Sequence, residues 1–286
     1  MNEKIGDLEL ILLNIGYSEM NANWNWKSIY SPFARIYHVT GGAARTYIGD
    51  KMYSLEPGNL YLTPPFTLHD DECDSFFSLY YIHFYEKAIN KESIFDIYDF
   101  PIGMEATPLD LLLTKRLLDI NPERHLRHYD PQLYDNPPTF SQNIADNSRM
   151  PVHSALETRG ILYQLTSKFL VSAKIKSRHM DDRVNKCLQY IHENVDKTIT
   201  VNQLADIACI TEDHFIRIFK KEMRCTPIKY INSKKIEKAQ LLLLTTDMPI
   251  KDIAFDLSAD NISYFNRIFK QHTGKTPGQY REEFNK

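Results

Sequence analysis

His214-Phe-Ile-Arg-Ile-Phe-Lys220 and Tyr264-Phe-Asn-Arg-Ile-Phe-Lys270 are two writings of one segment, fifty residues apart. The match continues to Thr226-Pro227 against Thr276-Pro277 and to Tyr230 against Tyr280. That makes eight identities across the eighteen positions 213–230 and 263–280. A self-match at a fixed period marks a duplicated structural unit. Ahead of each copy, apolar residues fall at i, i+3, i+4 and i+7: Val201, Leu204, Ala205 and Ala208, then Ile250, Ile253, Ala254 and Leu257. This spacing gives a short helix with one buried face. Tight turns follow, at Cys209 to Thr211 and at Ser258 to Asn261. Each leads to a second helix that buries Phe215, Ile218 and Phe219, or Phe265, Ile268 and Phe269. Two short helices joined by a tight turn make a helix-turn-helix unit.

The outer faces of the second helices point to what the units do. One shows Asp213, Ile216, Arg217 and Lys220, the other Ser263, Asn266, Arg267 and Lys270. The buried positions agree between copies, whereas the outer ones differ except for the Arg and Lys, as two readers of different base sequences require. Arg217 and Arg267 can each offer a bidentate fork to a guanine edge, and Asn266 can pair with adenine. A plain helical bundle with solvated charges is the competing reading, and duplication with a basic face weighs against it. Between the copies, Pro227 to Thr245 carries Ile228, Ile231, Ile236, Ala239, Leu242 and Leu243. These predict a long helix, opened by a first-turn proline, that spaces the reading helices along one face of a duplex.

The overall charge of −3 conceals a split. Residues 1–180 hold 17 basic against 22 acidic residues, and 181–286 hold 17 against 15. Within 214–238 the balance is 8 to 2. Positive charge is thus concentrated where a phosphate backbone would meet it. The 43% hydrophobic and 25% charged residues fit a globular chain of 286 residues with two domains. No apolar run reaches membrane-spanning length, and the first residues do not read as a signal peptide. Cys73, Cys187, Cys209 and Cys225 form no C-x-x-C pair, so neither a zinc site nor a disulfide framework is expected, and the chain is expected to be cytoplasmic.

From about Trp24 to Phe84, short β-branched and aromatic runs alternate with Gly41-Gly42, Gly49-Asp50, Glu56-Pro-Gly58 and Pro64-Pro65. This predicts a β-sandwich or barrel. A helix is expected over Leu109 to Ile120, irregular chain over 121–150, and a long helix over Val152 to Ile175. The Leu156, Tyr163 and Leu170 stripe, with Leu162 and Phe169 beside it, has two readings: a seam between two chains, or burial against the chain's own barrel. Lys174 to Asp182 reads as the linker.

The stretch Ile253-Ala254, Ser263-Tyr-Phe-Asn-Arg-Ile-Phe-Lys270 and Gly274-Lys-Thr-Pro-Gly-Gln-Tyr-Arg281 resembles the signature of the AraC family of bacterial regulators, over about residues 183–284. The resemblance implies seven helices, two helix-turn-helix units and a shared central helix. It carries base-reading roles to Asp213, Ile216 and Arg217, and to Ile262, Ser263, Tyr264, Asn266 and Arg267. Lys220, Lys221, Lys270 and Lys275 are the expected DNA-backbone contacts. Three features, at four positions, depart from the family. Ser258-Ala259 stands where Gly-Phe is usual, Arg224 where a glycine is usual, and Lys235 where an arginine is usual. The first predicts a strained second turn, because glycine is favoured where φ is positive.

Glu56-Pro-Gly-Asn-Leu-Tyr-Leu-Thr-Pro-Pro65 followed by His69 is similar to the cupin sensor domain of sugar-responsive members. This implies a small effector, a carbohydrate among the candidates, held by Trp24, Trp26, His69, Asp71 and Tyr81. There is no His-x-His pair. His38, His69 and His83 read as structural, and no metal or other cofactor is expected.

The fold expected is therefore α+β in two domains: a cupin-like effector-binding β-barrel at 1–150, a helix and linker at 151–180, and an all-α DNA-binding domain of seven helices at 181–286. The function expected is a non-enzymatic, sequence-specific transcription regulator, an activator by family resemblance. Its expected partners are double-stranded DNA, a small effector, a second copy of the chain and, in activation, RNA polymerase. The alternatives are a cupin-type metalloenzyme with an accessory helical domain, which lacks a visible ligand or acid–base constellation, and a helical module that binds protein.

Overall fold

The computed structural model describes residues 8–87, 92–131, 137–176, 181–259 and 261–282, with side chains not described at 137–141, 148 and 282. The sequence's linker therefore lies partly outside the described residues. The described residues divide into two compact units, one within 1–87 and 95–175, the other within 88–94 and 176–286.

The first unit is built on two antiparallel sheets. One has five strands in the order β1 (Leu10–Asn21), β8 (Phe76–Glu86), β3 (Ala34–Gly42), β6 (Asn59–Thr63) and β10 (Gly103–Glu105). The other runs β2 (Asn25–Ile29), β7 (His69–Glu72), β4 (Ala44–Ile48) and β5 (Lys51–Leu55). Trp24 stands between β1 and β2, with its ring against Tyr37 and Phe77 of the five-stranded sheet. β1 and β8 pair along their whole length, from Leu10 with Glu86 to Asn21 with Phe76, with one irregularity between Leu12 and Asn14. β1 precedes the region where the sequence pattern suggested strands. Leu10, Leu12, Leu13, Asn14 and Ile15 are all buried, because the barrel interior covers one face and helices the other. A strand covered on both faces shows no alternation to read.

The covering helices are α2 (Pro108–Asp119), α3 (Pro137–Arg149) and α4 (Val152–Ser172), preceded by a four-residue helix α1 (Ile94–Ile97). The Thr107 side chain and the Asp110 carboxylate cap α2 reciprocally, which fixes its start. α3 corrects the expectation of irregular chain over 121–150. Prolines are compatible with a first helical turn, and Asn147 Nδ2 ties the helix to β1 by donating to Leu12 O at 2.9 Å. In α4, Ile161, Leu162, Leu165 and Phe169 are buried within this unit. Leu162 and Phe169, beside the stripe, thus serve the chain's own core, while of the stripe itself Tyr163 and Leu170 are half-buried and Leu156 stays 64% exposed. A short pair, β9 (Tyr98–Asp99) with β11 (Lys174–Ile175), ends the unit.

The second unit contains seven helices among the described residues: α5 (Asp182–Glu193), α6 (Val201–Ile207), α7 (Glu212–Met223), α8 (Pro227–Thr245), α9 (Ile250–Asp256), α10 (Ile262–Thr273) and α11 (Pro277–Glu282). The repeated Thr-Pro is a helix start in both copies. The hydroxyls of Thr226 and Thr276 accept from Lys229 N and Gln279 N, and the proline after each occupies the first helical position. Two separate cores form. One joins Val184, Leu188, Leu204, Phe215, Phe219 and Ile231, and the other Ile236, Leu243, Ile253, Leu257, Phe265 and Phe269. Among the described residues no helix is long and apolar enough to cross a membrane.

Candidate nucleic-acid interface and ligand cavity

The duplicated units fold alike. α6 and α7 form the first helix-turn-helix, α9 and α10 the second. Phe215 and Phe219, and their counterparts Phe265 and Phe269, are buried at equivalent positions. With the aromatic face turned inward, the opposite face is presented. Asp213, Arg217, Lys220 and Lys221 are exposed on α7, and Ile262, Ser263, Tyr264, Arg267 and Lys270 on α10. Ile216, Asn266 and Lys275 are half-buried. The Asn266 Oδ1 is enclosed and has no hydrogen-bond partner among the described residues, so its amide is less available than its helical position suggested.

Arg267 is held in place. Its guanidinium lies over the Tyr264 ring, 5.2 Å from the centroid, and the Tyr264 hydroxyl accepts from Asn232 Nδ2 of α8 at 3.0 Å. Ordering a long side chain before contact lowers the entropy lost on binding. Asn232 had no signal in the repeat, because it lies on the intervening helix.

The turns carry the strain that the sequence suggested, and in both copies. Ser258 has φ 48° and Cys209 has φ 53°, each a non-glycine residue in the left-handed region. Arg224 ends α7 at φ 59° where Gly274 ends α10 at φ 80°. The Ser258 hydroxyl donates to Asp196 O at 2.6 Å, which offsets part of the cost.

In the first unit, a cavity of about 410 Å³ opens at one end of the sheets. Trp24, Trp26, Met20 and Tyr129 line it with apolar surface, and Glu19, Asn21, Asn23, Arg127, His128 and Asp130 with polar groups. Its volume lies in the range of small-molecule sites. The strap Asn121–Asp130 forms one wall. Ile15 N donates to Arg124 O at 3.0 Å, Leu126 N donates to the Tyr81 hydroxyl at 2.7 Å, and Tyr129 meets the Tyr81 ring edge-on at 6.3 Å. Gly16 makes this possible, since a Cβ there would stand 2.2 Å from the Tyr81 hydroxyl.

The five residues named for the effector are therefore not all gathered in one place. Trp24 and Trp26 line the cavity. Tyr81 lines a void of about 20 Å³ beside it, with Tyr37, His83 and Leu126. His69 and Asp71 line neither of these spaces and are buried on β7. His69 Nδ1 lies 2.8 Å from Thr67 O, which requires the proton on Nδ1 and leaves Nε2 as an acceptor. Burial, then the nearby Arg35 guanidinium, lowers the His69 pKa to about 3. Burial raises that of Asp71 to about 6. Neither His69 Nε2 nor Asp71 Oδ1 has a hydrogen-bond partner among the described residues. The strap residues were missed, although Arg124, His125, Arg127, His128 and Tyr129 form a dense chemical run in the sequence. His38 is structural, its Nδ1 3.2 Å from the Thr114 hydroxyl oxygen of α2. Among the described residues, no group of three or more His, Cys, Asp or Glu side chains could hold a metal ion.

Two families match this chain: a helix-turn-helix domain over residues 204–283 and an AraC-like ligand binding domain over 15–94. The chain is similar to the arabinose operon regulatory protein of Escherichia coli K12, with 30% identity over 103 residues, 36% of this chain and 35% of that protein. It is also similar to the arabinose operon regulatory protein of Salmonella typhimurium LT2, with 30% identity over 145 residues, 50% of this chain and 51% of that protein. The match thus spans a third to a half of the length of these curated relatives. Among solved structures, wild-type ToxT from Vibrio cholerae, bound to an unsaturated fatty acid, matches 95% of this chain and 94% of its own at 12% identity, with a TM-score of 0.47.

Proposed function

This chain belongs to the AraC family of regulators, and we propose that it binds DNA sequence-specifically and regulates transcription under control of a small molecule. The observation that carries the reading is the pair of like-folded helix-turn-helix units whose exposed helices each present an Arg and a Lys. Arg217 and Arg267 read base edges, helped by Asp213, Ile216, Ile262, Ser263, Tyr264 and Asn266, while Lys220, Lys221, Lys270 and Lys275 meet the phosphates. It acts in the cytoplasm as an activator, in contact with RNA polymerase. The metalloenzyme alternative finds no support in the families that match.

The effector is a hydroxylated small molecule, a sugar first. Trp24 and Trp26 offer faces for stacking, Glu19, Asn21, Asn23 and Asp130 offer partners for hydroxyls, and two relatives are named for arabinose operons. Footprinting of DNA flanking the gene, with and without sugars, tests the whole reading. Protection of one defined sequence whose extent or strength changes with a sugar supports it, and absence of protection under every condition refutes it. The chain acts as a homodimer through the apolar residues left exposed on α2 and α4, among them Leu112 and Leu156. Sedimentation of the Leu112→Glu, Leu156→Glu variant as a monomer, against a dimeric parent, is the expected result.

A further inference from the structure

Among the described residues, the two helix-turn-helix cores share no buried residue. Each takes its own part of α8, Ile231 on one side and Ile236, Ala239 and Leu243 on the other. Lys235 lies on that border and is buried, with 8% of its surface exposed. Its ammonium donates to Lys197 O at 3.0 Å, in the loop before α6, and to Leu257 O at 2.5 Å, at the end of α9. These carbonyls flank different helix-turn-helix motifs of the same all-helical unit. The Ser258 hydroxyl, from the left-handed turn of the second helix-turn-helix, reaches Asp196 O in the loop that leads into the first. One helical turn further along α8, Lys238 is half-buried and feels the charges of Asp196, before the first helix-turn-helix, and of Asp256, at the end of α9. A buried ammonium is costly unless it is hydrogen-bonded, and an apolar residue would have served packing alone. The polar junction gives what apolar packing along one helix does not: directional bonds from a single atom to both units.

We infer that Lys235, seconded by Ser258, is a positioning residue that fixes the separation of the reading helices α7 and α10, and with it the spacing between the two DNA segments that one chain accepts. The part concerning DNA rests on the proposed regulatory function, while the part concerning separation does not.

Two measurements keep these apart. In the first, spin labels are placed at the exposed positions Lys221 and Gln271 of the full chain, in a background carrying Cys209→Ser and Cys225→Ser, and the distance distribution is recorded without DNA. The parent is expected to give one narrow distance, Lys235→Met a broadened one, Ser258→Ala a smaller broadening in the same direction, and Lys235→Arg a return towards the parent. Ser258→Ala leaves the lysine in place and serves as the test if Lys235→Met loses its helical circular dichroism. A narrow, unshifted distribution in both Lys235→Met and Ser258→Ala overturns the inference. In the second, parent and Lys235→Met select from random duplexes. The parent is expected to enrich two submotifs at a single spacing, discriminating against a one-base-pair change by about tenfold, the scale of one mismatched contact. Lys235→Met is expected to enrich the same submotifs at several spacings. A single spacing retained by Lys235→Met, with binding only uniformly weaker, overturns the DNA consequence. Failure of the parent to enrich any sequence refutes DNA reading, while the label distances still decide the positioning role.

Discussion

Within each helix proposed to read DNA, Arg and Lys are expected to contribute differently. Arg267 is stacked on Tyr264 and exposed, while Lys270 is exposed one turn later. A planar fork reads base edges, whereas an ammonium neutralises a phosphate. Arg267→Ala is expected to relax preference at one base pair, removing about 1–3 kcal/mol of discrimination. Lys270→Ala is expected to weaken all sequences alike and lower the salt slope by about one. Affinities for single-base variants across a salt series separate the two, and a uniform loss from Arg267→Ala would refute its base-reading role. Asp71 offers a second test at this scale, because burial lifts its pKa to about 6. A carboxyl raised above its unfolded value stabilises the fold fully below the unfolded pKa and loses that contribution as pH rises through the folded one. Asp71→Asn does not titrate, and the low pKa of His69 is common to both proteins. Between about pH 4 and about pH 7 the variant should therefore gain on the parent by on the order of 2 kcal/mol. Urea unfolding at the two pH values measures this, and a pH-independent difference refutes it.

Among the elements, those with a periodic pattern were legible and those defined by cover or closure were not. Helical spacing and the repeat identified both helix-turn-helix units, and helical spacing with a first-turn proline identified the central helix, because each buries one face only. β1 escaped because both faces of its first half are buried, and α3 because its amides and prolines hide a helix held by contact with β1. The strap Asn121–Asp130 has no period at all; it is placed by hydrogen bonds to β1 and to Tyr81 of β8. Its attachment can be tested by removing one acceptor. Tyr81→Phe keeps the ring but leaves Leu126 N without the hydroxyl. The loss of about 1 kcal/mol should raise opening of the strap roughly fivefold. Trypsin cleavage after Arg127, which is exposed on the strap, reports that opening. An unchanged cleavage rate would mean that other contacts hold the strap and that Tyr81 is a lining residue only.

At the scale of the whole molecule, the division into two units was visible in the charge split and in the change from period-two to helical patterning. The candidate ligand cavity was visible only as scattered aromatics. Trp24 and Trp26 reach the cavity, but it is completed by residues of β1 and the strap that lie about a hundred residues apart, and no local pattern links them. Separate cores lead to a last prediction. A sugar that binds the native first unit and not its unfolded state stabilises that unit by mass action, by about 2.7 kcal/mol at a hundredfold excess over Kd. Scanning calorimetry of the full chain should show two transitions, with the effector raising the one lost in a Trp24→Ala variant's sugar response. An effector that raised only the other transition would move its site out of the barrel. If the same sugar alters DNA affinity by some factor, linkage requires operator DNA to alter sugar affinity by that same factor. Titrating the sugar with and without operator then measures the coupling between the units as a free energy, without assuming how they are placed.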